Sequence, residues 1–190
     1  NEFEAEFGPR ILAVPIDVTC EASVKRGFTQ VCLAWGGVDI VVINAGIAHV
    51  AALTELPLAT FRKLEQVNVD GTLLTLAEAA RLMQLQHTGG DIVLVSTKNV
   101  FAPGARFGAY SATKAASHQL ARIASLELAE FGIRVNMVAP DGVFSDDSKT
   151  KSGLWATVGP DRMKARGLDE KGLEDYYRNR NLLKMRVTAR

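Results

Sequence analysis

The chain has 190 residues, 47% of them apolar and 23% charged, with a formal net charge of +1. That is long enough for one domain with a real core, and so even a charge balance gives no electrostatic case for nucleic acid or a membrane surface. No apolar run reaches the ~20 residues of a membrane span, and no signal peptide is visible.

The opening NEFEAEFGP reads like the tail of a helix. Residues 11–16, ILAVPI, are an apolar run ending at Asp17 and predict a buried strand. Thr19 is placed to cap the helix predicted over 21–34, with Glu21 in its first turn. Cys20 and Cys32 fall on that helix, ~18 Å apart at its rise per residue, too far to bridge. Free thiols that simply pack suit a reducing, cytoplasmic setting better than a metal site. Gly36-Gly37 ends the helix. VDIVVI (38–43) predicts a second strand, apolar on both faces like a central parallel strand, and Asn44-Ala45-Gly46 follows it.

Pro57 precedes a long helical stretch, 58–86, holding Asn68 and Gly71 and closed by Gly89-Gly90. DIVLV (91–95) predicts a third strand, running into Ser96, Thr97, Lys98 and Asn99. A long helix is expected within 107–131. Leu120, Ile123, Ala124, Leu128 and Phe131 lie close to the period of one buried stripe, and Gly132 supplies a left-handed stop. IRVNMV (133–138) predicts a fourth strand, followed by Ala139-Pro140-Asp141-Gly142. Strand and helix alternate throughout. This predicts an α/β fold, a doubly wound, Rossmann-like parallel sheet covered on both faces. Ligands bind such sheets beyond the carboxyl ends of the strands, where Asp17, Asn44, Ser96, Thr97 and Asp141 all fall.

Residues 143–183 change character. They read as polar and loop-like through Ser145–Ser152, then carry Gly153-Leu154-Trp155 and Met163, and a helix over 169–181 bears Tyr176 and Tyr177. An exposed Trp155 and Met163 in so long a segment suit a lid over an apolar, substrate-binding pocket. A merely packing insertion is the plainer alternative.

Tyr110 and Lys114 stand four apart near the start of the 107–131 helix and so share a face. A nearby ammonium favours the phenolate, which makes a tyrosine usable as an acid or base near neutral pH. A lone pair of this kind is usually a solvated helix face, so its meaning depends on its surroundings.

Those surroundings are specific. Asp17-Val18, Asn44-Ala45-Gly46, the segment NVDG from Asn68 to Gly71, Thr97, Tyr110-Ser-Ala-Thr-Lys114 and Ala139-Pro140-Asp141-Gly142 occur in this order at strand ends. Over nearly its whole length the chain resembles the short-chain dehydrogenase/reductase family. The resemblance implies an oxidoreductase that uses NAD or NADP, acts on a small molecule and forms a homodimer or homotetramer on the 107–131 helix. It implies Tyr110 as general acid/base, with Thr97 hydrogen-bonding the substrate oxygen beside Ser96. Lys114 would lower the Tyr110 pKa and hold the nicotinamide ribose. Asn68 would kink its helix and position a proton-relaying water. For the cofactor it implies Asp17 and Val18 at adenine, Asn44, Ala45 and Gly46 under the adenosine ribose, and Pro140 and Val143 at the nicotinamide.

Three features differ from the family pattern. Thr97 stands where serine is usual, and its methyl narrows the site. Pro140-Asp141 replaces the usual Pro-Gly. The glycine-rich phosphate loop and the first two strands, which the family's sheet order places between the strand ending at Asp17 and the strand ending at Asn44, are absent, as is the last strand. The expectation is therefore that residues 1–190 form the central part of one dinucleotide-binding catalytic domain, with 143–183 its substrate-loop region. Lys98-Asn99, SGLW, VGPDRM and YYRNRNLLK further resemble the dehydrogenase half of bacterial proteins that join a rhamnulose-phosphate aldolase to an alcohol dehydrogenase. That resemblance implies a lactaldehyde-like substrate, with Lys98 either a substrate contact or a solvated loop lysine. A sugar-nucleotide epimerase or dehydratase, and an inactive scaffold, are the alternative functions.

Overall fold

The computed structural model describes residues 6–144 and 153–188. Three strands, β1 (Ile40–Ile43), β2 (Gly90–Val95) and β3 (Ile133–Val138), form one parallel sheet in the order β1-β2-β3. Their crossovers are helical. Helix α1 (Glu21–Trp35) precedes β1, helices α2 (Leu58–Glu65) and α3 (Gly71–Gln86) link β1 to β2, and α4 (Gly108–Glu127) links β2 to β3. Two further helices, α5 (Gly153–Arg166) and α6 (Glu170–Arg180), follow the sheet.

The strand pleat sorts side chains onto two faces. Register places Val41, Ile92 and Val135 in one row, and Ile43, Leu94 and Met137 in the next. These pack with Val24 and Phe28 of α1, Leu76, Ala79 and Met83 of α3, and Ala121 and Ala124 of α4 into the main core. The other face carries Ile40 and Val42, 66% and 58% exposed, and Val138. It also carries the cross-strand pair Asp91 and Arg134, whose guanidinium donates to the carboxylate at 2.6 and 2.8 Å. Among the described residues, then, the sheet is covered on one face only. The α/β parallel sheet is as expected; cover on its second face is not seen among the described residues.

Residues 11–16 also depart from expectation. They are extended but join no strand, because no neighbouring strand offers them a ladder. Val14 and Ile16 lean instead on α1 at Gly27, where any added Cβ would collide with Ile16. β1 pairs with β2 alone, and a pairing of 11–16 with 38–43 does not occur. Thr19 does not cap α1. Its amide and hydroxyl both donate to the Asp17 carboxylate, while Cys20 occupies the cap position.

The long 58–86 helix is interrupted at its centre. Residues Gln66–Asp70 form a π turn between α2 and α3, and Asn68 sits in it. Helix α3 stops at His87, held in the left-handed conformation at φ 55°, rather than at Gly89-Gly90. Gly89 has its own reason for being glycine. Its φ is +71° and a Cβ there would lie 2.6 Å from the Gly132 carbonyl oxygen, so the turns that feed β2 and β3 touch backbone to backbone. In α4 the buried stripe runs through Ala121, Ala124 and Leu128, whereas Ile123 and Phe131 are 42% and 44% exposed.

Candidate active site

Because the three strands are parallel, the segments after them leave the same edge of the sheet. They are tied together there. The Ser96 amide donates to the Val138 carbonyl at 2.8 Å, and the Lys98 amide donates to the Pro140 carbonyl at 3.0 Å. Beyond this rim lies a cavity of about 620 Å³. It is lined by Asn44, Ala45, Gly46, Thr97, Tyr110, Lys114, Pro140, Asp141 and Val143, and by Leu154, Trp155, Val158, Arg162 and Tyr177 from α5 and α6.

Tyr110 and Lys114 both face this cavity from α4 and are both buried. Burial pushes the Tyr110 phenol above its ordinary pKa, and a hydrogen bond from the Thr97 hydroxyl draws it partly back. Burial pushes the Lys114 ammonium down to about 8. Its hydrogen bond runs to the Val95 carbonyl at 2.7 Å, at the end of β2. Desolvation dominates for both groups, and Thr97 is the hydroxyl's modulator.

Asn68 is fully buried and acts as a clamp. Its side-chain amide donates to the Ile47 carbonyl and the Thr113 hydroxyl, each at 2.9 Å, and its side-chain oxygen accepts from the Ile47 amide at 2.9 Å. Its backbone carbonyl accepts from the hydroxyls of Thr72 and Ser117. The helix kink is present as the π turn. What Asn68 does is fasten the loop after β1 to the buried face of α4.

The remaining expected residues divide. Trp155 lines the cavity and is half-buried rather than exposed, with its ring edge-on to Phe144 and Tyr177. Met163, also half-buried, packs in the same cluster. Ser96 lines the cavity, but its hydroxyl bonds the His118 ring at 2.9 Å, a partner no sequence motif suggested. Lys98 is not in the cavity wall. Its ammonium donates to the Ala102 carbonyl at 2.8 Å, and burial lowers its pKa despite the nearby Asp141. Asp17 and Val18 also lie outside the cavity. The Asp17 carboxylate is taken up by Thr19, and Val18 packs on Gly71. The segment Ser145–Ser152 lies outside the described residues.

Residues that the sequence did not single out complete the site. Phe107, at the N-terminus of α4, stands edge-on to Tyr110 with ring centres 5.6 Å apart. Arg162 stacks over the other side of that ring, its guanidinium carbon 4.3 Å from the centroid. The spacing Trp155, Val158, Arg162 is helical and could have marked a cavity-facing stripe, but Gly159-Pro160 hid it. The departure at Pro140-Asp141 also has an account. The glycine is displaced by one position to Gly142, where a Cβ would meet the Tyr177 ring at 2.7 Å.

A model of the short chain dehydrogenase family matches residues 1–153. The chain belongs to that family. Its similarity to the uncharacterized oxidoreductase YuxG of Bacillus subtilis (strain 168) is 38% identity over 94% of this chain and 25% of that protein. L-rhamnose 1-dehydrogenase (NAD(P)(+)) of Azotobacter vinelandii (strain DJ / ATCC BAA-1303) is 32% identical over 76% of this chain and 57% of that enzyme. The crystal structure of sorbitol-6-phosphate 2-dehydrogenase SrlD from Erwinia amylovora superposes with a TM-score of 0.85 at 26% identity, over 98% of this chain and 71% of that one. The chain spans between a quarter and somewhat more than half the length of the curated relatives it matches.

The family's cofactor is NAD or NADP, and the nicotinamide side of this site fits it. Gly46 lines the cavity floor, and a Cβ there would stand 3.4 Å from the Asn68 side-chain oxygen and 3.9 Å from the Lys114 nitrogen, in ordinary contact with both. Asn44, Ala45, Pro140 and Val143 line the same space. Among the described residues no group of His, Cys, Asp or Glu side chains is placed to hold a metal ion, and no helix is long and apolar enough to cross a membrane.

Proposed function

We propose that this short chain dehydrogenase supplies the catalytic centre for hydride transfer between NAD or NADP and a small hydroxy-carbonyl compound or alcohol. The observation that carries the reading is the convergence of the Tyr110 phenol, the Thr97 hydroxyl and the Lys114 amine on one cavity. The cofactor, when bound, gives or takes the hydride at the carbon. In reduction, Tyr110 donates its phenolic proton to the carbonyl oxygen as that oxygen becomes an alcohol, and Thr97 hydrogen-bonds the same oxygen. In oxidation the proton returns to the phenolate. Lys114, anchored on Val95, would hold the nicotinamide ribose, Asn44 to Gly46 would lie under the adenosine ribose, and Pro140 and Val143 would lie against the nicotinamide. Asn68 is a positioning residue. Because burial keeps the phenol protonated, reduction proceeds at neutral pH and oxidation gains as pH rises.

The motifs SGLW, VGPDRM and YYRNRNLLK carry a finer reading, in which this chain is the dehydrogenase part of a protein that also carries a rhamnulose-phosphate aldolase; the 25% coverage of YuxG fits only its greater length. Lactaldehyde is then the substrate to try first. Residues 143–183 form the substrate-loop region of a single catalytic domain, and free Cys20 and Cys32 fit a cytoplasmic setting. The test is turnover of lactaldehyde with NADH or NADPH, and of 1,2-propanediol with the oxidised forms. Tyr110→Phe should lower kcat by about 10²–10⁴-fold while the circular dichroism spectrum is unchanged. Turnover that survives this change removes Tyr110 from the chemistry.

A further inference from the structure

Arg162 enters the cavity from α5 and is 5% exposed. A buried guanidinium is costly unless an anion faces it, yet among the described residues no carboxylate pairs with it. Its Nη2 donates to the Tyr177 hydroxyl at 2.7 Å, and its Nε–H is buried without an acceptor. The stack on Phe107 fixes the plane of the fork, and that same ring borders Tyr110. So a planar, pre-aimed cation lies within two ring contacts of the catalytic phenol. The surroundings add positive charge. Lys98 feels the charges of Arg162, Arg166 and Arg180, and Asp141, which also lines the cavity, is the single acid acting on it, itself 3.6 Å from Arg180.

We propose that Arg162 receives an anionic oxygen group of the substrate, a phosphate monoester or carboxylate a few bonds from the reacting carbon. This rests on the hydride-transfer reading of the same cavity and not on lactaldehyde, which carries no anionic group. The placement on the chain favours the substrate over the cofactor as the source, because Arg162, Trp155 and Tyr177 line the cavity from α5 and α6, whereas Gly46 and Lys114 line it from the segment after β1 and from α4. Two oxygens of such a group match the paired N–H donors of arginine, which a lysine cannot reproduce.

Calorimetric titration of the chain with dihydroxyacetone phosphate against dihydroxyacetone, and with hydroxypyruvate against hydroxyacetone, tests this. At least one anionic probe should bind ~10-fold or more tighter than its neutral partner. Arg162→Met should erase that preference, and Arg162→Lys should retain part of it. If Arg162→Met does not fold, the lysine variant decides, since an undiminished preference there overturns the role of the fork. Equal binding within both pairs overturns the proposal. So does inorganic phosphate binding as tightly as dihydroxyacetone phosphate, and so does loss of the preference in saturating NADH, which would assign the guanidinium to the cofactor. The titrations need no turnover. If Tyr110→Phe keeps full activity while the preference holds, the hydride-transfer reading alone fails.

Discussion

At the residue scale, Lys114 has the clearest pH signature. Its pKa in the folded protein is pushed down to about 8, against about 10.4 for a free lysine. Below pH ~8 both states hold the proton, and burying the ammonium costs about 3 kcal/mol. Between ~8 and ~10.4 the unfolded chain binds more protons, so stability rises with pH in that window. Lys114→Met removes this dependence. The wild-type chain should therefore gain stability relative to the variant as pH is raised from ~7 to ~10, read as urea midpoints. A constant difference would show that the amine is not desolvated. That Tyr110 and Lys114 share a helix face was legible from their spacing, and both line the cavity. Their electrostatics were not legible, because a spacing of four says nothing of the Val95 carbonyl that takes the amine or of the Thr97 hydroxyl that reaches the phenol.

At the element scale, local pattern succeeded where it agreed with packing and failed where packing overrode it. β2, β3 and the extent of α4 follow their apolar periods and the Gly132 stop. The run 11–16 has the composition of a strand, but a strand needs a neighbour for its backbone groups, and without one it drapes over α1. Helix α5 failed in the opposite sense. Pro160 is a strong breaker, yet Ala156 and Pro160 both lie at exposed positions, so the lost hydrogen bond faces solvent while Trp155, Val158 and Arg162 bury the other side. Arg162 was hidden for that reason. The contact of the two turns at Gly89 and Gly132 gives a sharp test. Gly89→Ala adds a left-handed penalty and a clash with a backbone oxygen, together about 2–4 kcal/mol. A loss below about 0.5 kcal/mol in urea unfolding would mean that the two turns separate freely.

At the scale of the whole molecule, α4 presents a continuous outer stripe of Ala112, Ala116, Gln119, Ile123 and Leu126, all exposed. Four of the five are small or apolar, and small residues let two helices approach closely. Pairing of two copies along this stripe is the expected assembly. It should appear in sedimentation velocity as a dimer that Ala116→Glu converts to monomer; a monomer at all concentrations in the unsubstituted chain would dismiss it. The same helix turns Tyr110 and Lys114 inward, so assembly and catalysis would use opposite sides of one rod. How the layers would close was legible only in part, because a sheet with one bare face cannot be foreseen from strand composition when Ile40 and Val42 read as core residues.

The π turn at 66–70 has an arithmetic consequence. It is a helix with one residue too many, and every position after it is rotated by about 100° from where an unbroken spiral would put it. Deleting Val69 would give a straighter, more orthodox helix from 58 to 86. The same deletion would swing Asn68 off the Ile47 loop and out of reach of Thr113, so the irregular version is the one that keeps the buried face of α4 fastened.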